Sequence, residues 1–144
     1  MIETGNTDLC RARQLLELDD VRCVFVLDNQ IIERNERGVI ALLDLLDERK
    51  SLAGFAAADK VVGKAAASLY VLLGVTSVYG ETMSKAGKTM LESHGIECCC
   101  SELVEQMMNR DRTGICPMEA AVSQSDDVRK APKLLKAAIE KMRK

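Results

Sequence analysis

Phe55 to Gly74, FAAADKVVGKAAASLYVLLG, constrains this chain more than any other stretch. A short apolar run, Phe55 to Ala58, meets Asp59, and apolar residues then recur at Val62, Ala65, Ala66, Leu69, Leu72 and Leu73 before Gly74. The pattern predicts a strand running straight into a helix. Asp59 has the side chain of an N-cap, able to accept from the exposed amides of a first turn, and Gly74 can take the left-handed conformation that ends a helix. A helix this apolar must be buried. Its first amides, with Asp59, Lys60 and Lys64, then lie at the C-terminal edge of a strand, where open α/β sheets bind ligands.

The flanking sequence extends this unit in both directions. Thr7 or Asp8 caps a first helix ending at Leu18, and VRCVFVLDNQIIERNERG reads as a hairpin, Val21 to Leu27 paired with Ile31 to Arg34. Val39, Leu42, Leu43 and Leu46 mark a helix from about Gly38 to Lys50. After the central helix comes a short strand, Val75 to Tyr79, and a helix opened by Thr82 or Ser84 with Ala86, Met90 and Leu91 inward. A third strand follows at Ile96 to Cys100. Ser101 to Asn109 reads as helical, Pro117 opens a helix reaching about Ser123, and Ala131 to Met142 forms the last helix. Alternating strands and helices with short links predict parallel strands joined by right-handed crossovers. The expectation is one α/β domain over residues 1–144, three-layered, with a mixed sheet of roughly five strands and a core from about Val21 to Val122.

Composition narrows the function. Of 144 residues 47% are hydrophobic, which is ample for one core, and the formal net charge of −2 gives no basic surface for nucleic acid. With two Phe, two Tyr and no Trp, the chain also lacks a base-stacking platform. No segment approaches the roughly 18 uninterrupted apolar residues of a membrane span, and MIETGNTDLC is not a signal pattern, so no membrane partner and a cytoplasmic location are expected. Cys98, Cys99 and Cys100 are adjacent, which suits neither a C-x-x-C metal pair nor a redox pair. Neighbours on a strand point to opposite faces, so the triplet does not read as a metal site.

DKVVGKAAA, Asp59 to Ala67, and GICPMEAAV, Gly114 to Val122, resemble the domain-of-unknown-function 1893 family, small prokaryotic proteins placed in the cytidine-deaminase-like fold. The resemblance runs from roughly Val21 to Val122 and implies that fold. Zinc deaminases carry a His or Cys ligand with a glutamate two residues on at the central helix, and a P-C-x-x-C pair at the next. This chain has Asp59-Lys60-Val61 and Met83-Ser84-Lys85-Ala86-Gly87 in those places, and its one histidine, His94, ends the second helix pattern. Neither zinc, another metal nor a cofactor is expected.

Two neighbouring helix starts remain, bearing Asp59, Lys60, Gly63 and Lys64 on one and Thr82, Ser84 and Lys85 on the other. Lysines and hydroxyls at helix N-termini favour an anion, so the expected ligand is a nucleotide-like or other anionic small molecule. Gly63 inside a helix pattern implies close approach by a ligand or by packed backbone. Arg110 and Arg112, around Asp111, could clamp a carboxylate or phosphate or simply be solvated. Cys116 before Pro117 sits where a helix start lowers a thiol's pKa, and Glu119 lies three residues on. Three readings stay open. One is a binding protein for the nucleotide-like ligand. Another is a metal-free enzyme acting on a nucleotide or ribosyl group through Asp59, Cys116 or Glu119. The third is a structural subunit, and a homo-oligomer is compatible with all three.

Overall fold

The computed structural model describes residues 4–36, 39–48, 51–109 and 113–142, with side chains described from residue 7 onward. Five strands form one sheet: β1 (Cys23–Leu27), β2 (Gln30–Arg34), β3 (Ala56–Val62), β4 (Ser77–Ser84) and β5 (Glu97–Val104). The helices are α1 (Thr4–Leu18), α2 (Ile40–Asp47), α3 (Lys64–Leu73), α4 (Lys85–Ser93), α5 (Pro117–Val122) and α6 (Ala131–Met142), with a 3-10 turn at Val128–Lys130. Strand order is β2-β1-β3-β4-β5. β1 is antiparallel to both neighbours, while β3, β4 and β5 run parallel. The mixed five-stranded sheet and α/β class match the expectation.

The sheet divides two apolar layers. On one face Leu9, Ala12 and Leu16 of α1 pack over Val24, Val26, Ala56, Ala58 and Tyr79. On the other, Phe25, Ala57 and Val78 meet α2, α3 and the C-terminal helices through Leu42, Leu69, Tyr70 and Leu135. β1 therefore feeds both layers, which explains why CVFV is apolar at every position instead of alternating. The hairpin and the last helix stand where the pattern puts them.

Three boundaries differ from the sequence reading, with one cause. β3 does not stop before Asp59 but continues to Val62, because Val61 and Val62 pair with Thr82 and Met83 in the parallel ladder. Asp59 is thus a mid-strand residue, and the N-cap of α3 is Gly63, in extended conformation at φ −99° and ψ −170°. β4 runs on to Ser84, so Thr82 lies in a strand rather than at a helix start. That longer β4 offers partners to Glu102, Leu103 and Val104, and the stretch after Ser101 extends β5 instead of forming a helix. Ladder pairing overrides the helical propensity of Glu102 and Leu103. Ala86, read as inward, is exposed, whereas Met90 and Leu91 are buried. Gly74 ends α3 in the left-handed conformation at φ 86°, its amide bonded to the carbonyls of Tyr70 and Val71.

Candidate functional site

Where β3, β4 and β5 end and α3 and α4 begin, a cavity of about 530 Å³ opens. One row of ladder neighbours, Val61, Thr82 and Glu102, forms its floor, and Asp59 lies one step deeper along β3. Gly63, Ala65 and Ala66 supply the α3 side, while Arg22 and Val39 stand on the hairpin and α2 side. Gln106 to Asn109, Cys116, Met118 and Glu119 close the remainder. The closing segment is held by backbone bonds from Asn109 N to Gly114 O and from Cys116 N to Met107 O, at 2.9 and 3.0 Å.

The start of α3 is not open. Glu119, arriving from α5, accepts from the amide of Lys64 at 2.7 Å through Oε1 and from that of Ala65 at 2.8 Å through Oε2. Its carboxylate therefore fills the place an external anion would take at this helix start. Gly63 is required here for space, since its φ suits any residue. A Cβ on it would lie 2.5 Å from the Glu119 carboxyl carbon. The start of α4 is closed by its own residue, with Ser84 Oγ accepting from Gly87 N at 3.0 Å. Gly87 lets the two starts meet, because a Cβ there would lie 2.8 Å from the Val62 carbonyl oxygen.

Asp59 is, with Glu119, a buried titratable group of the site. Tyr70 donates its phenolic proton to Oδ2 at 2.6 Å, and the Val61 amide approaches Oδ1 at 3.3 Å. Burial pushes the carboxyl up to about 6, against the opposing pull of the Tyr70 bond, the Val61 amide and the Arg22 charge. The Tyr70 hydroxyl is raised well above its ordinary value, first by burial and then by the neighbouring carboxylate.

The remaining expected site residues are dispersed. Lys60, next to Asp59 on the strand, points to the opposite face and pairs with Asp20 at 2.8 Å. Lys64 reaches Asp126 at 2.8 Å, and Lys85 pairs with Glu105. None of these lysines lines the cavity, nor does Ser84, whereas Asp59, Gly63, Thr82, Cys116 and Glu119 do. Arg110, Asp111 and Arg112 lie outside the described residues. His94 closes the C-terminal end of α4, at the far edge of the sheet from Cys116. On β5, burial raises the thiols of Cys98 and Cys99. Among the described residues no group of three His, Cys, Asp or Glu side chains is arranged to hold a metal ion.

Tyr70, Glu102 and Arg22 were not singled out by the sequence reading. The signal for Tyr70 was present, as the one polar aromatic tip in an otherwise apolar helix, which must find a partner when buried. Asp59, Glu102 and Glu119 face a single guanidinium, Arg22, among the described lining residues. Among the described residues the site is thus richer in acceptors than in cationic donors.

These features define a three-layer α/β protein with a polar cavity at the C-terminal edge of its parallel strands. The sequence model of the family described as TM1506, domain of unknown function (DUF1893), matches residues 11–139, and the chain belongs to that family. The fold is similar to the crystal structure of a DUF1893 family protein (TM1506) from Thermotoga maritima. The TM-score is 0.82 over 98% of this chain and 92% of that one, at 23% sequence identity. No curated protein matches. No helix among the described residues is long and apolar enough to cross a membrane.

Proposed function

We propose that this chain binds a nucleotide-like small molecule in the edge cavity, with the ring of the ligand inside and any phosphate at Arg22. The observation that carries this reading is the acceptor-rich floor: Asp59, fixed by Tyr70, stands beside Thr82 and Glu102. Such groups receive the ring N–H and sugar hydroxyl donors of a nucleoside. Val39, Val61, Met107, Met108 and Met118 offer apolar surface to a flat ring. The volume of about 530 Å³ falls within the roughly 300–1,000 Å³ of small-molecule sites. A phosphate has no free amide pair at α3, since Glu119 holds both, and this orients the ligand with its uncharged end inward. The hairpin feeding three parallel strands supports the deaminase-like outline that the two sequence runs imply. Titration calorimetry with nucleosides and their monophosphates tests the reading. Binding weakened by Asp59→Ala for both ligands, and by Arg22→Ala for the monophosphate alone, is expected. Absence of heat with every nucleoside and nucleotide at millimolar concentration contradicts it.

One observation favours a second reading, that of a metal-free enzyme. A carboxyl pushed up to about 6 in a cavity is poised to take or give a proton near neutral pH. Asp59 then acts as the acid or base on the bound nucleoside or ribosyl group. Glu119 is committed to two amides, and Cys116 has no described imidazole beside it, so Asp59 is the strongest of the three candidates. A pH–rate profile bending near 6 in wild type and lost in Asp59→Asn is the result this reading requires.

A further inference from the structure

The two edges of the sheet are unlike. β2 is short and carries Gln30, Glu33 and Arg34, with Arg34 paired to Glu48, charges of the kind that keep an edge from recruiting another strand. β5 has eight residues without lysine or proline, its middle is Cys98-Cys99-Cys100-Ser101, and only Ser101 is skipped in its ladder with β4. On the α1 face it is only lightly covered: α1 rests on β1, β3 and β4, leaving Cys99 and Ser101 exposed.

The backbone of this edge is ready to pair. Glu97 donates its amide inward to the Thr76 carbonyl, so by strand alternation the amides and carbonyls of Cys98 and Cys100 point outward. Beside this edge, α4 carries an exposed stripe one turn apart: Lys85, Thr89 and Glu92, with Lys88 at its flank. Lys85 pairs with Glu105, the residue that follows β5, which puts this stripe on the β5 side of the helix. The stripe is basic at its start and acidic at its end, with small residues, Ala86 and Thr89, between.

We propose that this edge pairs with β5 of a second copy of the chain, antiparallel about a two-fold axis normal to the sheet, giving a continuous ten-stranded dimer. Such an axis keeps the α4 layers of both copies on one face and sets the helices antiparallel. Lys88 of each copy then meets Glu92 of the other, with Lys85 held by Glu105 of its own chain at the end of the stripe. The axis requires residues of like facing to oppose each other. With Cys100 opposite Cys100 of the copy, Cys99 meets Ser101, and no position of β5 sets one glutamate opposite another. A parallel or displaced copy loses the helix charge match. The edge cavity stays open, because β5 contributes to it only from the α4 face at its C-terminal end.

Sedimentation and native mass spectrometry test this with the full chain. Wild type is expected to be dimeric at about 100 μM. Cys100→Pro removes an outward amide and no ladder bond to β4, so it is expected to be a folded monomer with the wild-type circular dichroism spectrum. Lys88→Glu and Glu92→Lys alone should each raise the dimer dissociation constant roughly tenfold or more, and the double exchange should restore it. A monomeric wild type overturns the proposal. So does a dimer indifferent to Cys100→Pro, or a double exchange that remains as weak as the single ones.

Discussion

The two helix starts at the cavity solve one problem in opposite ways. Both α3 and α4 leave amides unpaired at the edge of the parallel sheet. α4 is capped by Ser84, three residues from the amide it serves, whereas α3 is capped by Glu119, 55 and 54 residues from its two amides. A local cap stabilises one helix. The distant cap also ties α5 to α3 across the cavity, and it converts the best anion site in the molecule into an internal contact. The same carboxylate therefore shapes the stability of the fold and, on the proposed function, the kind of ligand the cavity would receive.

Removing the distant cap has the largest expected effect. Glu119→Ala loses two charge-assisted hydrogen bonds in a buried setting and frees α5, for a loss of about 2–4 kcal/mol in urea denaturation. An effect below about 1 kcal/mol would mean that water replaces Glu119 without penalty.

Asp59 is next, and its effect carries a sign. Its folded pKa of about 6 lies above the ordinary 3.8, so the folded state retains a proton that the unfolded chain releases. The contribution is present in full below pH ~4 and lost as pH rises through about 6, roughly 2–3 kcal/mol in all. Asp59→Asn keeps an acceptor for Tyr70 and should flatten this dependence, leaving the variant more stable than wild type at pH 8. An unchanged pH profile between 4 and 7 would assign the dependence elsewhere.

The local cap ranks third. Ser84→Ala should cost about 1 kcal/mol, measured by chemical denaturation, and leave nucleoside affinity unaltered. Lys64→Ala is smallest. The Asp126 carboxylate it pairs with is 91% exposed, so a change under about 1 kcal/mol that shrinks with added salt is expected in thermal melts.

The contrast between caps also explains what could be read in the sequence. The β1–β2 hairpin, the Gly74 stop and the helix from Ala131 were legible because short-range chemistry fixes them: paired β-rich runs, a left-handed glycine, an amphipathic stripe. The end of β3 was not legible. Asp59 before an apolar run has the signature of an N-cap, and only pairing with β4 makes Lys60 to Val62 a strand. That shift of a few residues turned Lys60 to the other face and moved Gly63 from helix interior to cap. Ser101 to Val104 failed for the same reason, since their partners lie on β4. Glu119 was singled out as a site residue, and it does line the cavity, but its bond to α3 spans most of the core and leaves no periodic trace. Thr82 stayed at the site because the β4 edge faces the cavity even though the helix opens at Ser84, the later of the two residues read for its start.

The central claim is that Glu119 itself holds the α3 amides and that Gly63 exists to admit it. A double-mutant cycle in urea on Gly63→Ala and Glu119→Ala measures this directly. In wild type, the Cβ at residue 63 collides with the carboxylate and must expel it, so Gly63→Ala should cost nearly as much as Glu119→Ala. In the Glu119→Ala background, Gly63→Ala should be close to neutral, because its extended backbone accepts a side chain. Equal costs in both backgrounds would contradict the account.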